Sequence, residues 1–173
     1  MGKKVEKKLI TDFEKFKTAW EKDAGDPYDS IMYYLIAALN IPKDEKLANA
    51  MMTVVVTKKD SLEDGNSPSG YYLRRTGSAY YIGQFAKTEY IANSFVGGTP
   101  ENEYRIDKSK LVMTVVKDTD KGEGKKKIFI QSGGKDNPTP VSLARNSSGQ
   151  WKLIEYSSIC TGVKKTKAEE GDF

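Results

Sequence analysis

Four β-rich segments close the chain, and the connectors between them decide its architecture: "LVMTVVK" (111–117), "KKIFIQS" (126–132), "PVSLARN" (140–146) and "QWKLIEYSS" (150–158). The intervening "DTDKGEGK", "GGKDNPT" and "SSG" are short and rich in turn residues. Such spacing makes consecutive strands neighbours in an antiparallel meander.

The first third of the chain has a different period. Leu9, Phe13, Phe16 and Trp20 share one helical stripe. Thr11 and Glu14 are spaced for a capping box, which predicts a first helix over 11–24, ended by Gly25. Asp26 then stands as an N-cap with Pro27 in the first helical position, and the run to Asn40 is apolar over most of its circumference. A third helix over 43–57 follows from the spacing of Leu47, Met51 and Val55, against the β-branched run 53–57. Residues 60–70 read as a loop, 71–75 as a short strand and 78–94 as a broken helix.

Helices first and strands last describe an α+β domain: N-terminal helices packed on a curved C-terminal antiparallel four-stranded meander. Residues 1–163 form the expected single domain, and 164–173 an expected frayed tail.

Composition narrows the chemistry. The 173 residues contain no histidine and one cysteine, Cys160. Histidine-assisted serine or cysteine catalysis and cysteine-rich zinc sites therefore drop out, and no cofactor is expected. The net charge of +4 sits largely in "KKVEKK", "KGEGKKK" and "KKTK", which read as solvated ends and a turn rather than a nucleic-acid groove. No segment approaches the roughly 20 apolar residues of a membrane span, and no signal peptide is evident, so a cytoplasmic location is expected.

Two glycine-rich clusters are candidate sites. "SGGKDNPTPV" (132–141) has the glycines of an anion cradle, but a strand follows it where a phosphate loop feeds a helix, leaving Asp136 as a pocket-rim candidate. "GGTPENEYR" (97–105) offers Glu101, Asn102 and Tyr104, with a loop role as the plainer reading. Alternation on the last strand puts Glu155 on the face of Trp151 and Leu153, with Arg145 on the neighbouring strand as its partner. Arg74 and Arg75 lie among tyrosines, a pattern compatible with stacking on single-stranded nucleic acid and more often with a semi-polar core.

"GGTPENEY", "SGGKDNPTPVSL" and "WKLIEYSSICTGV" together resemble a bacterial family described as a domain of unknown function. Its pattern has a Thr-Pro-Glu-Asn turn, a Ser-Gly-x-x-Asp-x-Pro-x-Pro-Val connection and a Trp-x-x-x-Glu-Tyr-Ser-Ser ending. The resemblance implies that Thr99 to Asn102, Tyr104, Asp136, Pro140, Val141, Trp151 and Glu155 to Ser158 are motif positions. Thr139 stands where a second basic residue is expected, which weakens an anion site there. The order of elements is also similar to cystatin-like and nuclear-transport-factor-like domains.

These readings favour a non-catalytic binding or interaction domain with a tyrosine-rich concave face for a small ligand or peptide. Its candidate residues are Glu101, Asn102, Tyr104, Asp136, Arg145 and Glu155. The alternatives are a carboxylate-dependent enzyme using Glu155 or Asp136, and a weak single-stranded nucleic-acid binder; a homodimer through the sheet is a further partner reading.

Overall fold

The computed structural model describes residues 2–74 and 77–171. Its elements run β1 (Lys3–Lys7), α1 (Phe13–Asp23), α2 (Pro27–Leu39), α3 (Glu45–Val55), β2 (Ser61–Glu63), β3 (Tyr71–Leu73), α4 (Ser78–Lys87) and α5 (Tyr90–Asn93), then β4 (Leu111–Gly122), β5 (Lys125–Gln131), β6 (Thr139–Arg145), β7 (Trp151–Glu155) and α6 (Lys167–Glu170). Two 3-10 turns, Lys58–Asp60 and Ser157–Cys160, flank the last-strand region.

The α+β organisation holds, but the main sheet has five strands in the order β1-β4-β5-β6-β7, not four. β4 to β7 form the expected meander, and β1 adds antiparallel to β4 with Lys3 opposite Val115 and Lys7 opposite Leu111. Three lysines in "KKVEK" disguise the strand; charge on an edge strand is also what discourages further pairing. Lys7 anchors it through Asp23 (3.1 Å) and Asp29 (3.3 Å), while the Tyr33 hydroxyl donates to Asp23 (2.6 Å). Although burial opposes ionisation of Asp23, hydrogen bonds from Tyr33 and Lys7 hold its carboxyl below the usual range. The opposite edge, β7, is partly covered where the chain leaves α3: Val56 bridges Leu153, and the Thr57 amide donates to the Leu153 carbonyl (2.9 Å).

Asp26 caps α2 as expected, its side chain accepting from the Tyr28 amide. In α1 the cap is Asp12 rather than Thr11: the Asp12 carboxylate accepts from the Lys15 amide, and no Thr11–Glu14 box forms. Aspartate and threonine have similar cap preference, so two adjacent candidates leave a one-residue ambiguity. Residues 30–38 of α2 are all buried, as befits a helix apolar all round. It packs on α1, α3, α5, β1 and β7. The inward residues of the meander, among them Met113, Ile128, Ile130, Val141, Leu143 and Leu153, are buried in the same core. This face of the sheet is therefore packed against the protein's own helices.

One buried polar link crosses that core. The Trp20 Nε1–H donates to Ser30 Oγ (3.2 Å), whose hydroxyl donates to the Trp151 carbonyl (2.7 Å), joining α1, α2 and β7. Ser30→Ala orphans both groups and is expected to cost about 2 kcal/mol, measured by urea unfolding.

The C-terminal segment is tied at two points to the loops before it, the Lys164 amide donating to the Gly134 carbonyl and the Lys167 amide to the Pro100 carbonyl (both 3.0 Å). Thr166 is buried and forms a capping box with Glu169 at the start of α6, and the Tyr104 hydroxyl donates to the Lys164 carbonyl. Arg75, part of the nucleic-acid reading, lies outside the described residues. No described helix is long and apolar enough to cross a membrane.

Candidate functional site

The six candidate residues occupy three places. Glu101, Asn102 and Tyr104 share the 97–105 loop, where Glu101 lines a groove of about 520 Å³ with Gly133, Lys164 and Lys167, and Asp136 lies beside it through its pair with Lys164. Asn102 is committed to the loop: its Oδ1 accepts from the amides of Thr99 (2.8 Å) and Arg105 (3.2 Å), and its Nδ2 donates to the Gly97 carbonyl (3.0 Å). Tyr104 is buried and stacks on Tyr90 with centroids 4.7 Å apart. Glu101 and Asp136 are exposed, near Lys167 (3.8 Å) and Lys164 respectively. Exposed, already paired charges of this kind contribute little and bind little. The groove is a polar seam between loops.

Arg145 ends β6 opposite Trp151, with its guanidinium 5.5 Å from the indole centroid. Glu155 does not pair with it. A bulge shifts the β6–β7 register between Ser142 and Leu143, so Leu153 faces Leu143 while Glu155 faces Ser142. The extra residue, Ile154, turns Glu155 away from the face of Trp151 and Leu153 and out to solvent. Four residues of strand, about 13 Å, also separate it from the residue opposite Arg145.

The turn of Glu155 brings it to the rim of a different cleft. Asp60 ends the 3-10 turn after Thr57, and its carbonyl accepts from the Arg74 amide (2.8 Å), which holds it beside the end of β7. The Tyr156 hydroxyl donates to Asp60 Oδ2 (2.6 Å). Tyr81 of α4 meets the Tyr156 ring edge-on at 5.4 Å, and Tyr34 of α2 packs on its other side at 5.1 Å. A cleft of about 190 Å³ opens above them, lined by Asp60, Ser78, Tyr81, Glu155, Tyr156 and Ser157.

Burial, reinforced by the bond to Asp60, raises the Tyr156 hydroxyl far above its ordinary pKa, so it remains a donor. Burial does the same to Tyr34, whose hydroxyl is fully enclosed and, among the described residues, has no hydrogen-bond partner. Sequence periodicity missed Tyr34 and Asp60. The signal available was a tyrosine inside the apolar run "IMYYLIAAL", where a buried hydroxyl must find a use.

Below this cleft Lys135 locks the Ser157–Cys160 turn. Its ammonium donates to the Ser158 carbonyl (3.0 Å) and Thr161 Oγ1 (2.6 Å) and lies 5.1 Å from the Phe95 ring centroid. Burial pushes its pKa down to about 8. Cys160 is buried and its thiol is pushed up by burial, which opposes formation of a reactive thiolate.

A family model described as a domain of unknown function (DUF6935) matches residues 8–167, a span that includes every element lining the cleft. No curated protein and no solved structure matches the chain.

Proposed function

The chain belongs to the DUF6935 family, a domain of unknown function, and we propose that it is a non-catalytic binding module whose tyrosine-walled cleft receives a small cationic group. The observation that carries this reading is the pair of carboxylates at the cleft. Asp60 and Glu155 both line it, beside the rings of Tyr81 and Tyr156, and among the described residues neither has a cation partner. Carboxylates and electron-rich ring faces around one small space favour an ammonium or guanidinium.

Size supports the same class. The cleft is smaller than the roughly 300–1,000 Å³ of a drug-sized pocket, so a lysine or arginine side chain of a peptide, or a small amine, is the fitting occupant. Behind the wall the Tyr34 ring packs on Tyr156 (5.1 Å), and among the described residues its hydroxyl has no hydrogen-bond partner. The likeness to cystatin-like and nuclear-transport-factor-like domains is retained in this proposal only as an order of elements; the ligand moves from the sheet face to the end of its edge strand.

The test is titration with lysine amide and arginine amide, followed by NMR shifts of Tyr81, Ser78 and Tyr156, with Nε-acetyl-lysine amide as the neutral control. Saturable shifts with the charged ligands are expected, weakened about ten-fold in Glu155→Gln. Because Glu155 is exposed, that variant should unfold at the wild-type midpoint. Equal binding of the acetylated control, or no saturable shift at all, would falsify the assignment.

A further inference from the structure

On the other side of Ile154 the same strand edge carries the opposite charge. A second pocket, of about 490 Å³, is lined by Lys58, Arg145, Lys152, Ser147, Ser148 and Gln150 among others, and among the described residues no carboxylate lines it. We propose that it is an oxyanion site for a phosphate monoester of a small polar molecule.

The three cations come from three separate parts of the chain. Lys58 begins the 3-10 turn beside β7, Lys152 lies in β7, and Arg145 ends β6 at the hairpin. Each rests against an aromatic ring: Lys58 on Tyr71 (5.8 Å to the centroid), Arg145 on Trp151 (5.5 Å) and Lys152 on Trp20 (5.6 Å). Among the described residues none of the three is in an ion pair. The ring faces meet the positive groups themselves and carry no formal charge, so the three cations are left without a counter-ion.

Lys152 is the most informative of the three. Lys152 is partly buried, its ammonium makes no hydrogen bond to a described residue, and burial followed by repulsion from Lys58 lowers its pKa. A desolvated cation beside like charge is an unfavourable arrangement, relieved when an anion enters. Monoester phosphate suits it because near-neutral pH gives it close to two charges to set against three, with several acceptor oxygens for the surrounding donors. The hairpin supplies those donors. The Asn146 side chain accepts from the amides of Ser148 (3.0 Å) and Gln150 (2.9 Å), fixing the turn that presents the Ser147 and Ser148 hydroxyls. The volume exceeds that of a bare phosphate ion and leaves room for the rest of an esterified molecule.

The site stands independently of the cationic-group cleft, and its test uses neither that cleft's ligands nor its residues. The full chain is titrated with inorganic phosphate and with glycerol 3-phosphate at constant ionic strength held by chloride, following backbone amide shifts of Lys58, Ser147, Ser148 and Lys152. Saturable shifts confined to this pocket are expected, tighter for glycerol 3-phosphate. Arg145→Gln and Lys152→Met should each weaken binding about ten-fold. Lys152→Met keeps an apolar stem on Trp20, and Arg145→Gln at an exposed strand end provides a second variant should the first misfold. Chloride alone producing the same shifts, or phosphate responses indifferent to both folded variants, overturns the proposal. So does binding of a single-stranded oligonucleotide without binding of either phosphate, which would make the surface a polyanion track.

Discussion

Replacing Gly133 with alanine is expected to destabilise the protein by about 3 kcal/mol, at the upper end of overpacking costs. The glycine belongs to "SGGKD", and its place is dictated by close approach. Its amide donates to the Ser94 carbonyl (2.6 Å), while the Ser132 hydroxyl donates to Ser94 Oγ (2.7 Å) and accepts from the Gly134 amide (3.0 Å). A methyl at Gly133 would run into the carbonyl oxygen of Gly98 and the methyl of Thr99. Gly98 cannot retreat, because a side chain there would itself meet the Asn93 backbone and Tyr104. Backbone is thus stacked on backbone, and no flexible side chain is available to yield. Gly65→Ala, which meets nothing within 4 Å, is the control and should change stability by no more than about 0.5 kcal/mol. Urea unfolding decides the comparison: a lower midpoint at unchanged slope is expected for Gly133→Ala alone. A wild-type midpoint would mean that the two glycine loops do not pack on each other.

Those loops show what the sequence could and could not disclose. Their glycines and Asn102 carry the chemistry of tight local structure, and Asn102 indeed spends its hydrogen bonds within its own loop. Composition alone does not separate that role from a polar pocket, since both require the same residue types. Element boundaries were legible to within a residue or two where the cause was local. Asp26 and Pro27 announce α2 because cap and first-turn preferences depend on a few consecutive residues. β1 was illegible because its pairing with β4 comes from more than a hundred residues away, and its lysines answer to Asp23 and Asp29.

Glu155 failed as an inward residue for a sharper reason. Alternation presumes continuous register, and one bulge at Ile154 reverses the face of everything after it. That reversal places Glu155 with Asp60, Tyr81 and Tyr156, a grouping assembled from three separate segments with no sequence signature. Arg145 is the converse case. Glu155 is not its partner; Arg145 instead lines a pocket with Lys58 and Lys152 in which, among the described residues, no acid takes part. The positive charge that matters on this edge sits in isolated residues, while the lysine runs that dominate the composition lie elsewhere.

The central helix α2 yields the largest expected effect. Leu35→Ala should cost about 4 kcal/mol, within the range for a fully buried leucine. Leu35 is wholly buried in α2, one residue from Tyr34, in a helix covered on every side by α1, α3, α5, β1 and β7. A cavity in such a place cannot be closed by the movement of one surface element, because each neighbour is held by others. Leu39, at the end of the same helix and only partly buried, provides the contrast: its alanine variant should lose about 1–2 kcal/mol. For a chain of this length the Leu35 variant should melt about 10 °C lower. If the two alanine variants lost equal stability, α2 would be a surface helix with one apolar stripe. The tyrosine wall would then lose the rigid support that holds Tyr34 against Tyr156.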